Sequence, residues 1–278
     1  SYASSLFLNS MLVFVLSIAG VFLFQGTGFV VGYAIAPIIT ALIVYANLKR
    51  KENVEINLKG TFSDLPLDKK KFTRYGIFAG LGNIASQLAW QLDTIMIGMI
   101  LAQSTMVASY KVAALIPFSL IFIPSTFMQT DFVYIAENYK NKKYLINYYK
   151  KYLMIFSLIA AAILLVWYSG GSLIVKLFGD KYVDAKPLID VLMINVALTY
   201  TMRVPLGNIL AAVGKAKWNT YSALSLLLVN FVLNMVLIPK YNIFGAAYAT
   251  VSSIALSCII GLVLFLRYLK EIDGVKNK

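Results

Sequence analysis

Arg203 is the residue of this sequence whose chemistry is hardest to explain by packing alone. It lies within an apolar segment, Pro187 to Val213, that is long enough to cross a membrane. Arginine stays protonated in proteins, and a lone cation in hydrocarbon costs about 3 kcal/mol or more. Arg203 therefore needs an anion, either the carboxylate of Asp93 or a phosphate group of a substrate. Both partners are compatible with the sequence if the pair opens when the substrate enters.

Further polar side chains repeat every four residues in three apolar segments, and this spacing places them on one face of a helix. They are Asn83, Gln87 and Gln91 in the first segment, Asn195 and Thr199 leading to Arg203 in the second, and Asn230 and Asn234 in the third. Polar groups in hydrocarbon face protein or water. Three polar faces predict one shared polar interior and a substrate-binding cavity. For Asn230 and Asn234, hydrogen bonding between packed helices is the first interpretation.

Asp93 lies deep in its segment, where it could bind a proton or Na⁺. We therefore predict Asp93 as the residue of ion coupling. The sequence contains no His, which excludes imidazole metal sites and relays, and it has no phosphate-binding loop for ATP. We predict no metal site, no cofactor and no catalytic residue.

Prolines interrupt two of the apolar segments. Pro117 and Pro124 fall in one segment, and Pro205 follows Arg203 by two residues in another. Each proline removes a backbone hydrogen bond and bends a helix. We predict these three prolines as hinges.

The elements that must position these residues are membrane-spanning helices. Of 278 residues, 60% are apolar and 13% charged, and the mean hydropathy is +0.76, which excludes an ordinary water-soluble domain. Crossing the hydrocarbon takes about 20 helical residues. The sequence predicts an all-α, polytopic bundle of about eight spans. They are Ser5–Phe24, Gly28–Leu48, Tyr75–Ala102, Ser109–Val133, Tyr152–Tyr168, Pro187–Val213, Thr220–Ile238 and Gly245–Leu266.

The net charge of +13 is distributed unevenly between the two sides of the predicted bundle. Most Lys and Arg residues fall in three loops and the C-terminal tail, all on one side, whereas the other side holds Lys176, Lys181, Lys186 and Lys240. The positive-inside rule then predicts a multi-pass protein of the cytoplasmic membrane with both termini in the cytoplasm. The basic loops are expected to contact anionic membrane lipids, not nucleic acid.

The longest polar stretch, residues 49–74, separates two predicted helices from six. We predict that residues 1–48 are the last two helices of an N-terminal lobe and that 49–74 form a basic cytoplasmic linker. Residues 75–270 would form a C-terminal lobe of six helices, and 271–278 a cytoplasmic tail. Because Ser1 leads straight into an apolar segment, the numbering is expected to begin inside a longer protein.

Two stretches carry a resemblance to a known family. They are "GKAKWNTYSALSLLLVNFVLNMVLIPKYNIFGAAYATVSS" from Gly214 and "QLDTIMIGMILAQSTMVASYKVA" from Gln91. They resemble segments of the Wzx-type flippases of lipid-linked oligosaccharides, in the multidrug/oligosaccharidyl-lipid/polysaccharide superfamily. The matching positions are Asp93, Tyr110, Asn230, Asn234, Pro239 and Gly245. Asn242 and Ile243 replace the glycine that is usual in the turn.

The resemblance implies a two-lobe bundle of at least twelve helices with a cationic central cavity. Such a protein moves a polyprenyl-diphosphate-linked glycan across the membrane by alternating access. We therefore predict a monomeric secondary transporter, a flippase for cell-surface polysaccharide biosynthesis, that is not an enzyme. One alternative is a cation-coupled multidrug exporter of the same superfamily. Another is a membrane glycan ligase or polymerase, whose outer loop would offer only Asp180 and Asp184.

Overall fold

The computed structural model of this chain is all α-helical and describes residues 2–51, 69–176 and 185–276. Side chains are described at 8–24, 27–47, 70–176 and 185–274. Most of the predicted linker at 49–74, and Asp180, Lys181 and Asp184, lie outside these ranges. By length and composition, seven helices of the described part could cross a membrane, and Leu8–Phe24 is a shorter apolar helix. The predicted all-α fold is confirmed, and Leu8–Phe24 is the part of the expected span Ser5–Phe24 whose side chains are described.

The chain divides into two compact units, Ser1–Pro66 and Leu67–Lys278. In the first unit, helix α1 (Tyr2–Lys51) reverses direction. The Thr40 hydroxyl donates a hydrogen bond to Asn9 Oδ1 at 3.2 Å, although a straight helix would separate these residues by about 46 Å. The reversal brings the backbones of Gly20 and Gly28 together, so closely that a Cβ on either would overlap the other's carbonyl. Glycine is therefore required where the two arms meet.

The second unit contains the remaining helices. They are α2 (Lys69–Leu101), α3 (Ser104–Leu120), α4 (Phe122–Glu137), α5 (Lys142–Lys176), α6 (Lys186–Leu198), α7 (Val204–Ala212), α8 (Ala216–Tyr241) and α9 (Ile243–Lys276). A π-helical turn, Thr199–Arg203, joins α6 to α7. Helix α8 packs mainly between α2 and α9, while α3 packs on α6 and α4 on α7. A large apolar core includes Tyr110, Met128, Leu192 and Tyr200.

The two helix breaks lie where proline leaves a backbone carbonyl without its helical donor. Pro124 cannot donate to the carbonyl of Leu120, and this oxygen instead accepts a hydrogen bond from the Tyr200 hydroxyl at 2.7 Å. Pro205 likewise leaves the carbonyl of Thr201, which lies 3.4 Å from the Tyr149 hydroxyl. Two tyrosines thus satisfy the carbonyls that the prolines expose.

The predicted single helix at Ser109–Val133 is therefore two helices, because α3 ends at Leu120 and α4 begins at Phe122. The second break, Thr199–Arg203, lies beside the first, since Tyr200 reaches Leu120. The structure thus shows interruptions of the helices next to Pro124 and Pro205, and Pro117 lies buried in the last turn of α3. That these prolines act as hinges stays a prediction.

Helices α8 and α9 are joined by a tight turn in which Asn242 has a positive φ of 52°. Asn242 and Ile243 stand where the resemblance expected glycine, and asparagine is one of the residues that tolerate positive φ best. Gly245 follows, and its Cα lies against the backbone of Leu237. A Cβ built on Gly245 would overlap the Leu237 carbonyl oxygen.

We predict that Gly245→Ala lowers the free energy of unfolding by about 1–3 kcal/mol or more, because the backbone must shift to admit the methyl group. Thermal unfolding of the purified protein in detergent measures this loss. Gly80→Ala is the matched control, since nothing lies within 4 Å of its added Cβ. Equal melting temperatures for the two variants would contradict the close packing of this turn.

Candidate functional site

Arg203 ends the π-helical turn, so its side chain projects from an irregular part of the backbone. Its guanidinium donates to Ser86 Oγ on α2 at 3.3 Å and to Asn219 Oδ1 on α8 at 3.5 Å. Both contacts are long, and both acceptors are neutral. Within the described part of the chain, Arg203 makes no ion pair. The charge is therefore positioned by two helices but not neutralised by them.

Gly207 makes the room in which the guanidinium lies. It follows Arg203 by one helical turn, and a Cβ built on it would lie 2.9 Å from Arg203 Nη1 and 3.0 Å from Asn219 Oδ1. Any larger residue would displace the charged group. Gly207 therefore contributes to the site by leaving space for the guanidinium of Arg203.

Arg203 lines a cavity of about 720 Å³ in the second unit. Five of the predicted residues line this cavity, namely Asn83, Gln87, Thr199, Arg203 and Asn230. Other polar residues of the wall are Tyr75, Ser86, Ser125, Asn208, Asn219, Thr220, Thr250 and Ser253. Among the described residues that line it, Arg203 is the only one with a formal charge. The cavity is therefore a cationic chamber with many neutral hydrogen-bonding groups.

The remaining predicted cavity residues do not line this chamber. Gln91 lies on an exposed face of α2. Helix geometry explains its position. Four residues exceed one full turn of an α-helix by about 40°, so Gln91, eight residues after Asn83, is rotated by about 80° around the helix axis relative to Asn83. Asn195 and Asn234 are buried behind the wall. Asn195 accepts a hydrogen bond from Thr199 at 2.8 Å.

Asp93 lies in a separate buried cluster next to the chamber, with only 1% of its surface exposed. Its carboxylate accepts hydrogen bonds from the Tyr110 hydroxyl at 2.6 Å and from the side-chain amides of Asn234 at 2.8 Å and Asn230 at 3.1 Å. The Thr250 hydroxyl is a fourth donor. Four donors around one carboxylate stabilise its charged form without a basic residue.

Asp93, one of the two partners that the sequence allowed for Arg203, is not paired with it in this structure. Arg203 contacts Ser86 on α2, and Asp93 lies seven residues further along the same helix, which is about 10 Å along the axis. The two charges therefore occupy different sites. Asn230 and Thr250 connect these sites, because each lines the chamber and also donates to Asp93.

Sequence reasoning missed an aromatic part of the chamber wall. Trp90 and Phe118 line the cavity and meet nearly at right angles, with ring centroids 4.6 Å apart. Trp90 lies three residues after Gln87 and four after Ser86. Helical spacing therefore already placed Trp90 on the polar face of α2. Phe118 comes from α3 and could not be placed beside Trp90 without the tertiary structure.

The fold is similar to that of three solved membrane transporters. The first is a multidrug resistance MATE family transporter of the MOP superfamily, in an outward-facing conformation, with a TM-score of 0.73 and 15% identity over 99% of this chain and 63% of that chain. The second is a MATE protein in a bent conformation, with a TM-score of 0.75 and 16% identity over 99% and 62%. The third is the lipid II flippase MurJ in an inward closed conformation, with a TM-score of 0.64 and 15% identity over 95% and 57%.

These similarities show that the chain has the fold of MOP-superfamily transporters and is a multi-pass membrane protein. The chain spans less than two thirds of the length of each of the three proteins. No protein-family model matches the sequence, and no curated protein is significantly similar to it.

We predict that Asp93→Asn destabilises the protein, because its amide group brings two N–H donors into a shell that already consists of donors. Each buried donor left without an acceptor costs about 1–3 kcal/mol. The loss is measured by thermal unfolding in detergent. The control is Asp273→Asn, whose carboxylate is half exposed and pairs with Lys142. A melting temperature of Asp93→Asn equal to that of the control would refute the hydrogen-bonded cluster.

Proposed function

We propose that this chain belongs to a flippase that moves a polyprenyl-diphosphate-linked oligosaccharide across the cytoplasmic membrane by alternating access, for the assembly of a cell-surface glycan. The observation that carries the proposal is the position of Arg203. Its guanidinium lines a chamber of about 720 Å³ and contacts only neutral acceptors among the described residues.

An anionic ligand is what such a guanidinium favours. A permanent cation in a low-dielectric chamber is stabilised most by a group that brings negative charge and several acceptor oxygens, and phosphates do both through paired, charge-assisted hydrogen bonds. The amide and hydroxyl groups around Arg203 can bind the remaining phosphate oxygens or sugar hydroxyls. A diphosphate bound to the membrane through a polyprenyl chain fits this chemistry, because its tail can stay in the lipid.

Two observations bear on the choice between an anionic and a cationic cargo. The similarity to MATE transporters supports the alternative of a cation-coupled multidrug exporter. A cationic drug, however, would meet Arg203 and would find the carboxylate of Asp93 behind Asn230 and Thr250. The charge of the chamber therefore favours the anionic lipid. The Wzx-type family is supported by the sequence resemblance alone.

A membrane glycan ligase or polymerase is the weaker alternative. Asp180 and Asp184, the acidic pair that such an enzyme would use, lie outside the described residues. The three solved proteins of similar fold described above are two MATE transporters and a flippase. This pattern supports transport over catalysis.

The shorter length of this chain, relative to the proteins it resembles, supports a role as one part of a two-lobe transporter. In this proposal residues 1–48 complete an N-terminal lobe, 49–74 connect the lobes, 75–270 form the C-terminal lobe and 271–278 the tail. Both termini of the chain face the cytoplasm, and the protein acts as a monomer with its basic loops on anionic lipids. In a two-lobe transporter, the side of the cavity opposite the C-terminal lobe would then be formed largely by helices outside this chain.

Ion coupling is proposed for Asp93. Its carboxylate is buried with four neutral donors and no basic residue, so a bound cation would complete its neutralisation. The side-chain oxygen of Asn234 is buried beside it without a donor among the described residues. This unused acceptor could receive a hydrogen bond from a protonated Asp93 or coordinate Na⁺. Asn230 and Thr250 then pass changes at Asp93 to the wall of the chamber.

We predict that Arg203→Ala in the intact protein abolishes complementation of a flippase-deficient strain, because the cation that binds the diphosphate is lost. Arg203→Lys should retain partial activity, since it keeps the charge but loses the paired hydrogen bonds. Arg267→Ala is the matched control, because Arg267 packs over Trp218 outside the chamber. Expression and melting temperature are measured for each variant. Full activity of Arg203→Ala would refute the proposed role.

We predict that transport in proteoliposomes responds to a gradient of H⁺ or Na⁺ and that Asp93→Asn removes this response, because the neutral amide cannot exchange a charge. Thr250→Val conserves shape and removes one donor to the carboxylate, so it should shift the ion concentration at half-maximal transport without unfolding the protein. An Asp93→Asn variant that keeps the full response to both gradients would exclude Asp93 as the coupling residue.

A further inference from the structure

The chamber has an aromatic end that the diphosphate interaction does not use. This aromatic end consists of Trp90 and Phe118, and Phe122 from the start of α4 lies in the same wall. The edge-to-face contact of Trp90 and Phe118, at an interplanar angle of 85°, fixes both rings. A rigid aromatic surface is thus part of a chamber that otherwise presents polar groups.

Two observations distinguish this end from ordinary packing. The indole N–H of Trp90 has no hydrogen-bond partner among the described residues, although the ring is only partly exposed. Trp167, by contrast, donates its indole N–H to Asp190 at 2.7 Å. In addition, amides and hydroxyls lie next to the rings, with Gln87 one turn before Trp90 and Ser125 one turn after Ile121 in the same wall. Apolar faces beside free donors and acceptors match a ligand that is itself amphipathic.

Helix geometry fixes the distance between the aromatic end and the cation. Ser86 accepts the hydrogen bond of Arg203, and Trp90 follows Ser86 by four residues on the same face of α2. The separation along the helix axis is therefore about 6 Å. In a glycosyl diphosphate, the first sugar is joined to the phosphate by one oxygen. A sugar ring would reach Trp90 while its phosphate lies at Arg203.

We propose that Trp90 and Phe118 form a subsite for the first sugar ring of the lipid-linked glycan, with the apolar face of the ring against the aromatic surface. This inference rests on the proposed function, since it assumes a phosphate at Arg203. The free indole N–H and the side chain of Gln87 then hydrogen-bond to ring hydroxyls. An isoprenoid tail would use the aromatic faces but leave these polar groups unsatisfied, so the mixed surface favours the sugar.

The test compares two probes on the intact protein in nanodiscs: polyprenyl diphosphate without a sugar, and the same lipid carrying one hexose. We expect Trp90→Ala to weaken binding of the glycosylated lipid by about 3- to 10-fold, the range of a single aromatic contact, and to leave binding of the bare lipid within twofold. Trp90→Phe should keep most of the affinity. Trp218→Ala, a tryptophan variant outside the chamber, should change neither.

A spectroscopic readout separates contact from a structural role. Trp167, Trp218 and any tryptophan outside this sequence are replaced by Phe, so that Trp90 is the only tryptophan left. We expect its fluorescence to shift on addition of the glycosylated lipid and to change less with the bare lipid. Melting temperatures show whether each variant is folded.

The outcomes are distinguishable. If Trp90→Ala weakens both probes equally, the aromatic end binds the isoprenoid or supports the fold, and the sugar subsite is wrong while the flippase proposal stands. If the variant weakens neither probe, the subsite is also wrong. If the wild type binds neither probe, whereas an organic cation binds, the proposed function itself is overturned.

Discussion

The high cost of an uncompensated charge away from water is the constraint on which the rest of this structure depends. Two ionisable side chains in the described interior of the second unit, Asp93 and Arg203, are not paired with each other. Asp93 is stabilised by four neutral donors from three neighbouring helices, which closes its site. Among the described residues, Arg203 has two long hydrogen bonds to neutral oxygens, which leaves capacity for water or a ligand in the chamber. The proposed preference for an anionic ligand rests on this difference between the enclosed carboxylate of Asp93 and the guanidinium of Arg203, which lines the chamber.

Proline and tyrosine together create the irregular backbone from which Arg203 projects. A regular α6–α7 helix would carry Arg203 in another direction, but Pro205 interrupts the hydrogen bonding and a π-helical turn results. Irregular backbone at membrane depth is tolerated only where its polar groups find partners. The hydroxyls of Tyr149 and Tyr200 supply such partners at the two breaks. The breaks are thus stable parts of the fold, and they lie beside the chamber, where a change in helix direction would alter its shape.

The arrangement of the chamber also explains how one fold can serve different cargoes. A fold does not fix a function, because the residues of the site decide the chemistry. Here the wall combines one cation, several amides and hydroxyls, and an aromatic end. Asn230 and Thr250 belong both to this wall and to the shell of Asp93. The proposed coupling of Asp93 to a ligand in the chamber would therefore need no long chain of intermediate contacts.

The amino-acid sequence alone determined the class of the protein and most of the candidate residues. Hydropathy defines the helices because a span needs about 20 apolar residues, and the cost of polar groups in hydrocarbon identifies Arg203, Asp93 and the Asn and Gln residues as special. The sequence alone could not determine which of these residues contact one another. Gln91 shares the spacing of Asn83 and Gln87 but has rotated out of the chamber, and Asp93 has amide and hydroxyl partners instead of Arg203. The aromatic end formed by Trp90 and Phe118 arises only when α2 and α3 are packed together. Local periodicity fixes the face of a single helix, whereas the partner across an interface depends on how several helices pack, and only the tertiary structure decides that.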